Sequence, residues 1–235
     1  MSYTSEFIEV IRVGDLSKLI FLLDSITNLE EKNRMKNELL LISAPRNLNI
    51  VRFLIENGAN IEFRDNYGHT PLHIASFNKK IFIVEFLIKN GADIESEDNK
   101  GNTPLNKASF FGNLKVIEFL IESGAQIDHK NLYGHTPLHS ATMKGKYNVV
   151  KFLVEHGASI ECEDKNHNTP LHLACYNGYL DITQFFVYRG VHLEKNNLHN
   201  ETPLDMAYKN KKICIINFFK EYNSVYLDKT IKKDF

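Results

Sequence analysis

No charge of either sign dominates this chain. Its 28 lysines and arginines nearly match its 29 aspartates and glutamates, for a formal net charge of −1. No overall field therefore draws it toward nucleic acid or an anionic membrane. Cysteine is scarce: Cys162, Cys175 and Cys214 form no CxxC pair, and their odd number leaves one over. That argues against a disulfide framework and suits free thiols in a reducing compartment, the cytosol being the expected setting. No apolar run is long enough to span a bilayer. The first ten residues carry Glu6 and Glu9 and lack the basic start and apolar run of a signal peptide. Catalytic signatures are missing as well, with no GxGxxG after a strand, no P-loop, no GxSxG and no HExxH. No Cys/His cluster has zinc spacing. Neither enzyme chemistry, a cofactor nor a metal is expected.

What the chain does have is a period. Thr-Pro-Leu recurs at Thr70, Thr103, Thr136, Thr169 and Thr202, with a step of 33 residues each time. A glycine keeps the same step at Gly58, Gly91, Gly124, Gly157 and Gly190. Two independent markers in one register define a repeat protein before any local assignment is made. Each unit opens on a turn such as Asp65-Asn-Tyr-Gly68 or Asn131-Leu-Tyr-Gly134, with Asp or Asn first and Gly fourth. His167 and Asn200 replace that glycine, and both types tolerate positive φ better than most. Thr then serves as helix N-cap, and Pro takes the first helical position, where its missing N–H costs nothing. The second run of each unit, for example residues 81–88, is apolar on more than one face. A helix of that kind has to be covered on two sides, which the preceding and following units can do. The glycine after it supplies the left-handed residue at the helix end.

The ends depart from the pattern. Residues 7–23 read as a helix pair broken at Gly14-Asp15, and residues 24–38 as a solvated connection that is helical only near its end. The next unit lacks Thr-Pro-Leu and has Ile42 where Ala occurs later, so it should pack atypically. At the other end, residues 213–219 form the last second helix, followed by a lysine-bearing tail over residues 224–235 that is either a short covering helix or frayed. Stack ends need a more polar cover. The expected organisation is thus a capping repeat and connection over 1–36, five repeats in 33-residue register over 37–201, and a capping repeat and tail over 202–235.

The pattern Asp-x-x-Gly-x-Thr-Pro-Leu-His-x-Ala with a later Gly-Ala-Asp, met almost whole at residues 65–75 and 91–93, resembles the ankyrin-repeat family. The resemblance covers about residues 7–222 and implies an all-α solenoid of stacked helix-turn-helix units with projecting β-hairpin loops. It also implies a non-catalytic scaffold that binds another protein on its concave face, with no nucleic acid or membrane as partner, and a monomer. An inhibitor or adaptor that masks or targets an enzyme or regulatory protein is the alternative. A host-directed effector of a pathogen, acting in host cytosol, would be one form of it. The family's asparagine after Gly-Ala-Asp-Val is acidic here, at Glu62, Glu95, Asp128, Glu161 and Glu194, which removes an asparagine-hydroxylation position. That acidic column reads by default as a solvated edge, and more sharply as a docking strip for a basic peptide.

Mapping the family's partner-facing positions selects Tyr67, His69, Phe77, Lys100, Phe110, Phe111, Tyr133, His135, Met143 and Tyr176. Core Leu and Ala positions are already filled, so these aromatics are expected to line an apolar strip rich in interaction hot spots. The pairs His69 with His73 and His135 with His139 have i, i+4 spacing. The intervening Thr-Pro puts the first ring in the turn, so the two are not expected to share a helical face. His73, His139 and His172 are expected to tie neighbouring units together by hydrogen bonds.

Overall fold

In the computed structural model the repeat markers become helix starts. The structure describes the backbone of residues 2–231 and the side chains of residues 5–224. Among the described residues there are fourteen α-helices and no strand. They run in pairs: α1 (Ser2–Val13) with α2 (Leu16–Asp24), α3 (Leu29–Ser43) with α4 (Leu48–Glu56), and α5 (Pro71–Phe77) with α6 (Ile81–Lys89). Next come α7 (Pro104–Phe111) with α8 (Leu114–Glu122), and α9 (Pro137–Met143) with α10 (Tyr147–Glu155). The last are α11 (Pro170–Asn177) with α12 (Leu180–Tyr188), and α13 (Pro203–Lys209) with α14 (Ile213–Ile231).

The helices fall into two compact units. The first holds the residues up to Ala108 together with Asn113–Gln126; the second holds Ser109–Gly112 and the residues from Ile127 on. In the first unit α3 packs on α1 and α5, while α4 and α8 pack on α6. In the second, α11 lies between α9 and α13, and α12 lies between α10 and α14. Each unit therefore has an inner row of odd-numbered helices and an outer row of even-numbered ones. The short inner helices are buried almost throughout: Pro71 to Ser76, Pro137 to Thr142 and Pro170 to Cys175 are all covered. Outer helices bury one stripe, as Ile83, Val84 and Leu87 of α6 show. On that helix Phe82 is exposed and Ile81 and Ile88 are half-buried.

Each Thr-Pro start works as its chemistry dictates. Thr70, Thr136 and Thr202 accept a hydrogen bond from the third helical N–H, with Pro at the first position. The capping box closes with histidine in place of the usual glutamate. His73 Nδ1 lies 3.2 Å from the Thr70 N–H and 2.9 Å from its hydroxyl. Because an amide can only donate, Nδ1 must be the acceptor, which leaves the proton on Nε2. That nitrogen donates to the Asn102 carbonyl of the next repeat at 2.9 Å. His139 and His172 repeat the arrangement toward Asn168 and Glu201, at 3.1 and 3.2 Å. One ring thus caps its own helix and fastens the neighbour. At Thr202 the box closes with Asp205, which accepts from the Thr202 N–H and hydroxyl and, as an acceptor-only carboxylate, has no second bond to give.

A second fastening runs through the acidic column, a role that neither the solvated-edge nor the docking-strip expectation included. Glu62 accepts from the Asp93 N–H at 2.9 Å and Glu95 from Gln126 N–H at 2.7 Å. Asp128 takes the Ser159 N–H at 3.1 Å, and Glu161 takes the His192 N–H at 2.6 Å. These four carboxylates hold the last residue of the following repeat's Gly-Ala-Asp register, so they serve the stack itself.

Two local expectations are corrected. The polar run at 24–38 is mostly helix: α3 starts at Leu29, capped by the Asn28 side chain, and buries Met35, Leu39 and Leu40. Only residues 25–28 connect it to α2. The last helix does not stop at residue 219 but runs on to Ile231; residues 232–235 of the tail lie outside the described residues.

Positive φ falls at His167 and Asn200, as expected, and also at Lys79 and Lys211. The last two occupy the register of Gly112, Gly145 and Gly178. At Gly145 a Cβ would meet the Tyr179 ring at 2.7 Å, and at Gly178 the Lys212 chain at 2.9 Å. Lys79 escapes that crowding because its counterpart one repeat on, Asn113, turns aside to donate to the Ser76 and Phe77 carbonyls.

Candidate binding surface

The turns and the ends of the inner helices share one side of each unit. In the first unit, the Tyr67 turn folds back on α5: the His69 ring lies 5.7 Å from Phe77 and 6.0 Å from His73. In the second, His135 stacks on His139 of α9 at 5.8 Å, with Tyr133 stacked beyond it at 5.9 Å. The two histidines of each pair do not share a helix, and the turn nevertheless brings their rings together.

Proximity does not make them a metal site. His73 and His139 spend both nitrogens on their caps and the neighbouring carbonyl. His69 sits between two carboxylates, Nδ1 at 3.0 Å from Asp65 and Nε2 at 3.6 Å from Asp98. His135 Nε2 lies 3.4 Å from Asp164. Among the described residues no group of three or more His, Cys, Asp or Glu could hold a metal ion. Burial pushes the imidazoles of His73 and His139 down to about 4.

Under the turns sit two nearly inaccessible carboxylates. Burial raises Asp98, but hydrogen bonds from His69, Lys107 and Asn102 outweigh it and hold the carboxyl far below its usual range. Lys107 Nζ is 2.7 Å away. Burial likewise opposes Asp164, yet His135 and Asn168 carry it down to about 2. Both remain charged and lock their turn loops by accepting main-chain N–H groups two and four residues on. Neighbouring turns are also laced through the main chain, Asn99 N–H to Tyr67 O and Lys165 N–H to Tyr133 O, each at 3.0 Å. The surface is rigid, with little ordering left to pay on association.

The ten expected contact residues divide between the units. Tyr67, His69, Phe77 and Lys100 belong to the first; Phe110, Phe111, Tyr133, His135, Met143 and Tyr176 belong to the second. Tyr67 is 71% exposed, Tyr133 52%, Tyr176 47% and Phe111 45%. Lys100 is exposed, and Phe77, Phe110, Met143, His69 and His135 are half-buried. The two turn histidines are engaged with carboxylates and serve the scaffold at least as much as the surface. Sequence reasoning missed Tyr208, which is exposed. Its register is filled by buried Ser76, Ser109, Thr142 and Cys175 in the repeats before it, so its exposure was visible only as the place where the repeats stop.

Two of the three thiols are held in the protonated form. Burial pushes Cys162 up to about 11 and Cys175 up to about 12, far from the thiolate that a nucleophile requires.

Paired helices, a Thr-Pro cap in each central repeat and a left-handed glycine after α4, α6, α8, α10 and α12 define a helical-repeat protein. Its sequence matches a profile described as ankyrin repeats (3 copies) over residues 7–98 and 90–164, and one described as ankyrin repeats (many copies) over residues 153–207. These matches cover most of the sequence, and the chain belongs to the ankyrin-repeat family. Repeats of this family generally serve as scaffolds for protein–protein association and are typically non-enzymatic. No curated protein matches the chain. Among the described residues, no helix is long and apolar enough to cross a membrane.

Proposed function

We propose that the chain is a non-catalytic protein-binding scaffold that uses the turn-and-inner-helix side of its repeats. One observation carries this reading. Phe111, Tyr133 and Tyr176 stand exposed on that side of the second unit, although its interior is already filled by Leu138, Ala141, Leu171 and Ala174. Large aromatics that the fold does not bury are the usual anchors of an interface. Tyr67 and Lys100 offer the same side chains in the first unit. Occupying a partner's surface in this way masks it or holds it for a third protein, which is the inhibitor or adaptor role. Three unpaired thiols support a reducing compartment such as the cytosol, and capped ends support a monomer.

The test replaces Phe110, Phe111, Tyr133 and Tyr176 together with Ala. A partner captured by the parent chain is identified by mass spectrometry, purified, and titrated against both proteins, with circular dichroism to confirm that the helices persist. At about 2 kcal/mol for each anchor that counts, affinity should fall by roughly a hundred-fold or more. Unchanged affinity in a folded variant refutes the assignment.

A further inference from the structure

Resting on that reading, we infer the chemistry of the partner: an acidic polypeptide segment carrying apolar side chains, seated on the turn-and-inner-helix side of the second unit. The reason is which charges stand beside the exposed aromatics without a side-chain partner of opposite sign. Most carboxylates on that side have an oxygen committed to a partner within the protein, although a main-chain N–H leaves the negative charge in place. Glu163 is held by Lys195 at 2.7 Å, and Glu201 by Lys209 at 2.6 Å. Asp164 is buried under its turn, and Asp205, exposed and charged, is turned to the Thr202 cap. Asp128 and Glu161 clamp the next repeat. Glu194 is the exception, and it lies beside His192 and Lys195 in a separate hollow.

The lysines are not committed in this way. Lys144 is exposed and places Nζ 4.6 Å over the Phe110 ring, next to Phe111. A ring face attracts the ammonium but cancels none of its charge. Lys165 is exposed at the tip of the turn that bonds to Tyr133. Lys146 and Lys212 lay their aliphatic chains across Gly112 and Gly178, as long cations do when the stem packs and the head stays in water. Among the described residues none of these four heads meets a carboxylate. Cations thus alternate with Phe111, Tyr133 and Tyr176, and that pattern is complementary to acids set between apolar groups. Nucleic acid fits less well. Its affinity grows with the number of phosphates neutralised, and four dispersed lysines on a chain of net charge −1 offer few.

The experiment selects binders to the full-length chain from a random peptide display library and, in parallel, to its Lys144→Glu/Lys165→Glu variant. Selected peptides are then titrated as fluorescent probes beside a single-stranded oligonucleotide. The expected result is enrichment of Asp and Glu around aromatic or leucine residues, loss of that enrichment on the variant, and an affinity drop of about ten-fold on charge reversal. Lys144→Arg/Lys165→Arg should retain binding. Neutral or basic peptides selected equally on both baits would overturn the acidic partner while leaving the binding surface intact. Tighter binding of the oligonucleotide than of any selected peptide would overturn it in favour of nucleic acid. No enrichment on either bait would overturn both this inference and the protein-binding reading beneath it.

Discussion

Protonating the buried histidines should loosen the stack before the buried aspartates Asp98 and Asp164 titrate. His73 and His139 have their imidazoles pushed from 6.5 down to about 4 by burial, and a proton on Nδ1 would point at the Thr70 or Thr136 N–H. The folded pKa is below the unfolded one, so the native state binds fewer protons throughout that window. Stability is complete above the unfolded value of 6.5 and is lost as pH falls toward about 4, where the loss levels off. Each group should cost about 2 kcal/mol between about pH 7 and about pH 5. The depressed carboxylates Asp98 and Asp164 behave differently: their contribution is intact above the unfolded value of 3.8 and fades only as pH drops through their folded values. Nothing they do shows between about pH 7 and about pH 5, so that interval separates the histidines from these two aspartates. The variant to compare is His139→Asn, because Asn106 fills the same register and accepts from Thr103 N–H at 3.1 Å. It should be about 1 kcal/mol less stable than the parent at neutral pH through the lost Nε2 bond. On acidification it should lose about 2 kcal/mol less than the parent. Urea unfolding followed by circular dichroism at both pH values reads the difference. If His139→Asn and the parent lose equal stability between them, the buried, neutral, proton-excluding role of this ring is refuted.

Two further substitutions follow from the packing. Gly157→Ala meets nothing within 4 Å but sits at φ 93°, so it should cost about 1 kcal/mol of backbone strain alone. Gly145→Ala adds a collision with Tyr179 at 2.7 Å and should cost clearly more in thermal melts, falling to the Gly157→Ala level when Tyr179 is also Ala. Thr142→Val should be neutral or stabilising by up to about 1 kcal/mol in the same assay. Its buried hydroxyl has no hydrogen-bond partner, and an orphaned polar group costs more than a methyl of equal size.

The central repeats were legible because their constraints are local and each is carried by one residue type. Thr before Pro announces a cap, Gly after an apolar run announces a left-handed residue, and Asp or Asn at the turn announces its own side-chain bridge. What escaped is carried by contacts between residues one repeat apart. Glu161 binding the His192 N–H spans 31 residues, and nothing local distinguishes that carboxylate from a solvated one. The start of α3 escaped for a different reason. Although α3 lies between α1 and α5, it buries only a narrow stripe around Met35, Leu39 and Leu40, and its remaining face reads as a polar connector. Lys79 at φ 63° contradicts a glycine rule that holds only where the next repeat crowds the position.

The same distinction orders the candidate surface. Register located the ten residues, but register could not say which were already employed. His69 is spent between Asp65 and Asp98, and His135 against Asp164, whereas Tyr133, Tyr176 and Phe111 keep much of their surface in water. A position that must fasten a neighbour is fixed by a partner within the chain, and its side chain follows the repeat. A position without that duty can vary from repeat to repeat at little cost to the stack, as Met143, Tyr176 and Lys209 do at one register. Specificity in a stacked fold therefore has to be sought among the side chains that the periodic hydrogen bonds leave over, which in the second unit are aromatic groups and uncompensated lysines.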